Sequence, residues 1–303
     1  MKRNTMLNNS IAVIGAGKWG QALHYALNQK QKCLITSRTK KEIENFVSLD
    51  EALACEYLII AIPSQSIRQW LRDNFVYNGQ KVLVAAKGIE ANTGAFLQDI
   101  YQEFVPEKNL GFISGPSFAS EVIVGLPTAL VLNSTSKNFY DEFYRFFPNF
   151  IKTYYSSDVI GAEVSGAYKN VLAIASGICE GLNLGQNAKA SLISRGLVEM
   201  DRFGQHYGAK KDTFIGLSGA GDLFLTASST LSRNFRVGLG LAAGKSLEQI
   251  LEELGEVAEG VMTSKAIHKL SSENNIYTPI ANEVQLILEG KKPQESLKDL
   301  LSN

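Results

Sequence analysis

A lone lysine in a helical stretch of apolar and small residues is unusual unless it has a partner or a task. Lys169 lies in Gly166-Ala167-Tyr168-Lys169-Asn170-Val171, and from Val164 to Ile178 it is the sole charged residue. Desolvation lowers an amine's pKa toward neutrality, which suits general acid/base work. Ser165, Lys169 and Ser176 form a polar stripe opposite Val164, Ala167, Val171, Ala175 and Ile178. The plainer alternative is a lysine on a solvated edge. A carboxylate able to orient the amine follows in Ser218-Gly219-Ala220-Gly221-Asp222, where the glycines leave room beside Asp222. Ser232-Arg233-Asn234 reads as an N-cap followed by a cation and an amide in the first helical turn. A cation beside free N–H groups makes a phosphate site; taken alone, a capped surface helix with a solvated arginine fits as well. Lys87 directly follows an apolar run and precedes Gly88. It can bind an anion or polarise a carbonyl, and a snorkelling surface lysine explains it equally well. Ser114 to Glu121 reads as a strand entering a helix, with Gly115 allowing close approach and Pro116 in the first turn. N–H groups there can hold a phosphate or a nicotinamide amide; a simple helix start is the alternative.

These groups need a scaffold, and the start of the chain supplies its clearest sign. Ile11-Ala12-Val13-Ile14 runs into Gly15-Ala16-Gly17-Lys18-Trp19-Gly20, which matches G-x-G-x-x-G. Helical spacing of Trp19, Leu23, Ala26 and Leu27 follows. In such a strand–turn–helix Gly15 makes the turn, Gly17 admits a pyrophosphate, and Gly20 allows close helix packing. The second strand ends in Thr36-Ser37-Arg38, without the acidic residue that binds a ribose 2′-OH in NAD-selective folds. Arg38, backed by Lys40 and Lys41, suits a 2′-phosphate instead and favours NADP over NAD, or tolerance of both. A solvated loop cation is the alternative.

Apolar runs at 11–14, 33–36, 57–62, 81–86, 111–114, 128–132 and 151–155 alternate with helical patterns. Near-continuous apolar strands between helices predict an α/β, doubly wound parallel sheet, with ligands beyond the strands' carboxyl ends. Near Ser157 the rhythm becomes helical. Ser246 to Gln249 is a capping box, and Thr278-Pro279 reads as N-cap and first helical residue, with Gly290 as the stop. The expected organisation is a Rossmann-type dinucleotide-binding domain over residues 1–156 and an all-α substrate and catalytic domain over 157–303.

The chain has 303 residues and 45% hydrophobic content, enough for two cores. Lys plus Arg and Asp plus Glu are both 30, so nothing favours broad attraction to nucleic acid or anionic membrane. Cys33, Cys55 and Cys179 are scattered, as expected of reduced thiols in a cytoplasmic protein. Lys2 and Arg3 precede Asn4, Asn8, Asn9 and Ser10, which interrupt any signal-peptide-like apolar run, and no run reaches membrane-spanning length. His24, His206 and His268 lack metal-ligand spacing, so no metal is expected.

Taken in order, these motifs resemble the bacterial NAD(P)-dependent glycerol-3-phosphate dehydrogenase family. Its G-x-G-x-[WY]-G, A-x-K-G-[IL]-E, S-G-P-[ST]-[FN]-A-x-E, K-N, G-x-G-D and S-R-N segments occur here as Gly15 to Gly20, Ala85 to Glu90, Ser114 to Glu121, Lys169-Asn170, Gly219 to Asp222 and Ser232 to Asn234. Any one is weak; the ordered set, spread over nearly the whole chain, is specific. The resemblance implies a reversible hydride transfer between NAD(P)H and dihydroxyacetone phosphate, giving sn-glycerol 3-phosphate for phospholipid synthesis. It implies Lys169 as proton donor and acceptor. It places Lys87, Gly115, Ser117, Lys169, Asp222, Ser232, Arg233 and Asn234 at the triose phosphate. It places Gly15, Gly17, Lys18, Trp19, Gly20, Arg38, Lys87, Ala119, Arg233, Val257 and Glu259 at the dinucleotide. A homodimer is also implied. Two departures stand out. Lys18 occupies a position that is commonly Ser or Thr, and the segment between the second and third strands, Thr39 to Glu56, is shorter than is usual. The second departure bears on adenosine contacts, not on hydride chemistry.

A dehydrogenase of similar architecture acting on a 3-hydroxy acid or on ketopantoate is the nearest rival. Ser232-Arg233-Asn234 and Gly115-Pro116-Ser117 favour the triose phosphate. A nicotinamide-binding sensor without catalysis would need the glycine turn, but not the set Lys169, Asp222 and Arg233.

Overall fold

The structure, a computed structural model, describes residues 7–302; Lys2, Arg3 and Asn4 lie outside the described residues. The chain forms two compact units. One comprises the residues up to Ala86 together with Gln98–Val159; the other comprises Lys87–Leu97 together with the residues from Ile160 onward.

The first unit is built on a seven-stranded sheet in the order β2-β1-β3-β4-β5-β6-β7. Its strands are β1 (Leu7–Ile14), β2 (Cys33–Thr36), β3 (Cys55–Ile60), β4 (Lys81–Val84), β5 (Leu110–Ser114), β6 (Thr128–Asn133) and β7 (Ile151–Ser156). The helices between them are α1 (Lys18–Asn28), α2 (Leu49–Leu53), α3 (Ser64–Asn74), α4 (Leu97–Gln102), α5 (Ala119–Val122) and α6 (Lys137–Phe143). All seven strands expected from the apolar runs are present. β1 to β5 pair in parallel, and their central residues are buried, as strands covered on both faces must be.

The expectation of a uniformly parallel sheet needs one correction. β6 pairs antiparallel with β5, and β7 then runs parallel to β6. Parallel strands require a crossover of substantial length, usually a helix. The connection from β5 to β6 contains only the four-residue α5, too short to carry the chain back along the sheet. α5 also begins at Ala119, with Phe118 at its N-cap, so Pro116 lies ahead of the helix and not within its first turn.

The second unit is helical: α7 (Val159–Gly181), α8 (Gly185–His206), α9 (Lys211–Ile215), α10 (Asp222–Ala227), α11 (Arg233–Ala242), α12 (Leu247–Leu254), α13 (Glu259–Glu273), α14 (Pro279–Leu288) and α15 (Pro293–Ser302). Every residue of α7 from Gly161 to Cys179 is buried, so its polar residues need partners within the protein. Val164, Tyr168, Val171 and Leu172 join Met200, Phe203, Phe214 and Val237 in one core. The Ser246–Gln249 capping box forms as expected.

The start of α14 is less expected. Pro279 occupies the first turn, but Thr278 provides no side-chain cap. Glu199 of α8 does that job from a distance. Its carboxylate accepts from the Ile280 N–H at 2.9 Å, the Ala281 N–H at 2.8 Å and the Tyr168 hydroxyl at 2.7 Å. Burial pushes this carboxyl up, and the two N–H groups and the phenol pull it back. The contact ties α7, α8 and α14 together one residue from Lys169. Replacing Glu199 with Gln loses an anion matched to a helix N-terminus and opposes an amide NH2 to N–H donors. Chemical denaturation should show a loss of about 3 kcal/mol; an unchanged midpoint would remove this contact from the account of the fold.

Candidate active site

In the second unit one carboxylate joins two lysines. Asp222 opens α10, directly after a single π turn over Leu217–Gly221 that is closed by Gly221 N–H donating to Gly216 O at 3.1 Å. Such wide turns mark functional positions in helices because they re-aim the next side chain. The turn packs so closely on α9 that a Cβ at Gly219 would lie 2.2 Å from Phe214 O. Asp222 is 1% exposed. Its Oδ1 accepts from Lys169 Nζ at 2.5 Å, and its Oδ2 accepts from Lys87 Nζ.

Lys169 is 8% exposed, which removes the solvated-edge reading. Its ammonium also donates to Thr226 Oγ1 at 3.0 Å, one helical turn beyond Asp222. Ser176, of the same polar stripe, donates to Ala227 O at 2.7 Å, so two members of that stripe fix α7 against α10. Lys87 reaches Asp222 with its stem laid over Gly166, where an added Cβ would stand 3.2 Å from Lys87 Cγ and Cδ. The snorkelling reading of Lys87 therefore fails as well: its ammonium is committed to a buried carboxylate.

The electrostatics follow from this grouping. Burial drives the Lys169 pKa down, Asp222 pulls it back up and Lys87 pushes it down again, leaving it at about 8. Burial would raise Asp222, but Lys169 and Lys87 outweigh that and hold its carboxyl below the ordinary range. Glu259, half-buried at the start of α13, is pushed up by burial against the pull of Arg233, Lys169 and Lys87. The result is an amine that gains or loses a proton near neutral pH beside a carboxylate that stays ionised.

Ser232 caps α11, accepting from Phe235 N–H at 3.2 Å, and places Arg233 and Asn234 in the first turn as expected. Arg233 is half-exposed and donates to Glu256 at 3.4 Å. Asn234 is held differently from a free ligand-binding amide. It donates to Asn170 Oδ1 at 2.9 Å and accepts from Gly260 N–H at 3.0 Å, so it supplies a cap for α13 and fixes Asn170 beside Lys169. A Cβ at Gly260 would meet Asn234 Oδ1 at 2.7 Å and Asn170 O at 2.8 Å. Val257, just ahead of α13, is exposed. Asn170 stands out in the sequence as half of the Lys169-Asn170 pair; Thr226, Glu256 and Gly260 were not singled out from it. Only Thr226, four residues after Asp222 on a short helical run, carried a spacing signal.

The first unit holds the glycine turn. Gly15 N–H donates to Thr36 O at 2.9 Å, so the turn lies beside the end of β2. Gly15 has φ +107°, and a Cβ there would lie 2.5 Å from Ala61 O. A Cβ at Gly20 would lie 1.8 Å from Gly15 O, while one at Gly17 would meet nothing within 4 Å. Gly15 and Gly20 are therefore required by packing, and Gly17 leaves an open cradle at the N-terminus of α1, which has no side-chain cap. That is the fit a pyrophosphate needs. Lys18 and Arg38 are exposed and Trp19 is half-buried. In the same unit Gly115 has φ +106°, Ser117 Oγ donates to Gly115 O at 3.2 Å, and Ala119 begins α5. Among the described residues no group of three or more His, Cys, Asp or Glu could hold a metal, and no helix is long and apolar enough to cross a membrane.

Family models of NAD-dependent glycerol-3-phosphate dehydrogenase match in two parts, the N-terminal one over residues 28–140 and the C-terminal one over residues 158–299. The chain is 64% identical to glycerol-3-phosphate dehydrogenase [NAD(P)+] of Sulfurimonas denitrificans, over 97% of this chain and 100% of that one. It is 60% identical to the protein of the same name from Campylobacter lari, over 97% and 98%. The crystal structure of glycerol-3-phosphate dehydrogenase from Coxiella burnetii superposes with a TM-score of 0.89 at 32% identity, covering 97% of this chain and 99% of that one.

The two-lysine carboxylate makes a direct prediction. Asp222→Asn leaves the buried Lys169 ammonium and the partly buried Lys87 ammonium without their anion, so stability should fall by about 3–5 kcal/mol in a denaturant titration. A variant as stable as the parent would show that the charges are not coupled.

Proposed function

Because the chain belongs to the NAD-dependent glycerol-3-phosphate dehydrogenase family, we propose that it interconverts dihydroxyacetone phosphate and sn-glycerol 3-phosphate with NAD(P)H or NAD(P)+. The observation that carries the reading is the buried Asp222 carboxylate shared by Lys169 and Lys87. A nicotinamide cofactor supplies the hydride that this chain's side chains cannot. The residues of the chain do the rest. As C2 of the ketone is reduced, negative charge develops on O2, and protonated Lys169 gives its proton there. Lys87 adds a second positive charge to stabilise the developing alkoxide. Asp222 stays ionised, holds both ammonium groups and orients Lys169. In the reverse direction neutral Lys169 accepts the alcohol proton.

Arg233 supplies the cation for the substrate phosphate, releasing Glu256 to do so, and the first turn of α11 adds N–H groups. Fixing the phosphate fixes C2 and gains the rate advantage of orientation. Asn234 contributes by holding Asn170 and α13 as well as from its own position at the site. Gly115, Ser117, Ala119, Val257 and Glu259 belong to the proposed substrate and cofactor contacts on the strength of the family resemblance. At the dinucleotide the open cradle at Gly17, flanked by Lys18 and Trp19, takes the pyrophosphate, and Arg38 reads the adenosine ribose side. The lack of an acidic residue after β2 favours NADP.

We further infer a cytoplasmic homodimer that feeds phospholipid synthesis. Cys33, Cys55 and Cys179 are free and buried, as suits a reducing compartment. Exposed Val198 and Phe224 on the second unit offer apolar surface for a second copy.

Initial rates of NADH and NADPH oxidation with dihydroxyacetone phosphate test the activity, and absence of turnover with both would refute it. Lys169→Ala should lower turnover by about 10²–10⁴ with cofactor binding retained. Arg233→Ala should raise the KM for the phosphorylated ketone about 10–100-fold. The pH dependence has a defined sign. Reduction needs protonated Lys169, so its kcat/KM should fall as pH rises through about 8; oxidation needs the neutral amine and should rise there. Parallel profiles in the two directions would exclude Lys169 as the proton carrier.

A further inference from the structure

The short connection between β2 and β3 is folded into a brace. Ile35 N–H donates to Asn45 O at 3.1 Å, Val47 N–H donates to Ile35 O at 3.0 Å, and Thr36 Oγ1 donates to Val47 O at 2.9 Å. Asn45 adopts φ +58°, with its amide donating to Asn28 Oδ1 at 3.1 Å. Ile43 and Phe46 pack onto the core of the sheet. Residues 37–44 are thus anchored at both ends beside β2, and the loop folds back over the end of the strand. Within this loop Lys41 donates to Ala16 O at 2.6 Å, the carbonyl between Gly15 and Gly17.

That placement leaves positive charge unused. An ammonium has three donors, and Lys41 spends one on a neutral carbonyl. Among the described residues neither Lys41 nor Arg38 is paired with a carboxylate. Both cations border the junction where Gly15 N–H meets Thr36 O, the place where dinucleotide folds distinguish a ribose 2′-OH from a 2′-phosphate. A dianion there would find two cations and no competing carboxylate partner for either.

We propose that Lys41 is a specificity-determining residue, reading the adenosine 2′-phosphate of NADP together with Arg38. The inference rests on the proposed cofactor reading and extends it from Arg38 to the loop. The segment between β2 and β3 supplies a contact of its own by holding Lys41 against the glycine turn. Arg38 follows the end of β2 by two residues and Lys41 is tied to the glycine turn, so the proposed phosphate site draws one cation from each segment. The tether to Ala16 O keeps the ammonium near its working position before the ligand arrives, which lowers the ordering cost of binding.

Calorimetric titration of the full chain with 2′,5′-ADP and, separately, 5′-AMP tests this without catalysis. Lys41→Met should weaken 2′,5′-ADP about tenfold, the size of one charge-assisted contact, and change 5′-AMP less than about twofold. Lys41→Arg should retain most of the preference. Because Lys41 is exposed, the thermal midpoint of both variants should match the parent. If Lys41→Met weakens the two ligands equally, or neither, the proposal is overturned. A parent protein that binds 2′,5′-ADP no better than 5′-AMP overturns instead the underlying assignment of Arg38. Preference in the parent that survives Lys41→Met overturns Lys41 alone.

Discussion

Everything in the second unit's polar centre depends on one buried carboxylate facing the buried ammonium of Lys169 and the partly buried ammonium of Lys87. Removing any of these charges from water is costly, and only their mutual attraction and added hydrogen bonds offset the loss. Asp222 divides its oxygens, one to Lys169 and one to Lys87. Thr226 satisfies a further Lys169 donor. The excess of one cation over the anion keeps the group short of neutrality. Repulsion between the lysines, together with burial, holds the Lys169 amine at about 8 while Asp222 remains ionised. An incoming phosphate or developing alkoxide therefore meets a field that is already positive.

The backbone around this group is shaped by close approach. The π turn brings Asp222 out of register with α9, and Gly219 lets that turn lie against Phe214. Gly166 gives the stem of Lys87 its bed on α7. Gly260 lets α13 come down on Asn234 and Asn170, which puts the start of that helix, with Glu259, near the lysines. Glu199 holds the other side of α7 through Tyr168. The residues proposed for catalysis are thus each fixed by a contact that tolerates little added volume.

Much of this arrangement was legible in the sequence because it depends on local chemistry. Seven apolar runs became seven strands, the glycine turn formed at Gly15 to Gly20, and Ser232 and Ser246 cap the helices they precede. Lys169, the sole charge between Val164 and Ile178, has the buried partner that such isolation implies. The illegible parts depend on contacts between distant segments. No local signal tells that Glu199 will cap α14, that Asn234 will cap α13, or that Lys41 will bend back to Ala16. The reversal of β6 and β7 follows from the brevity of α5, and apolar patterning does not encode strand direction.

The central claim is that Lys87 and Asp222 jointly tune the amine of Lys169. Its most direct test is the pH dependence of kcat/KM for ketone reduction in Lys87→Met beside the parent. Removing the second ammonium ends its repulsion and leaves Asp222 wholly to Lys169, so the alkaline limb should move upward from about 8 whatever happens to the absolute rate. A limb that stays in place, or moves to lower pH, would contradict the account.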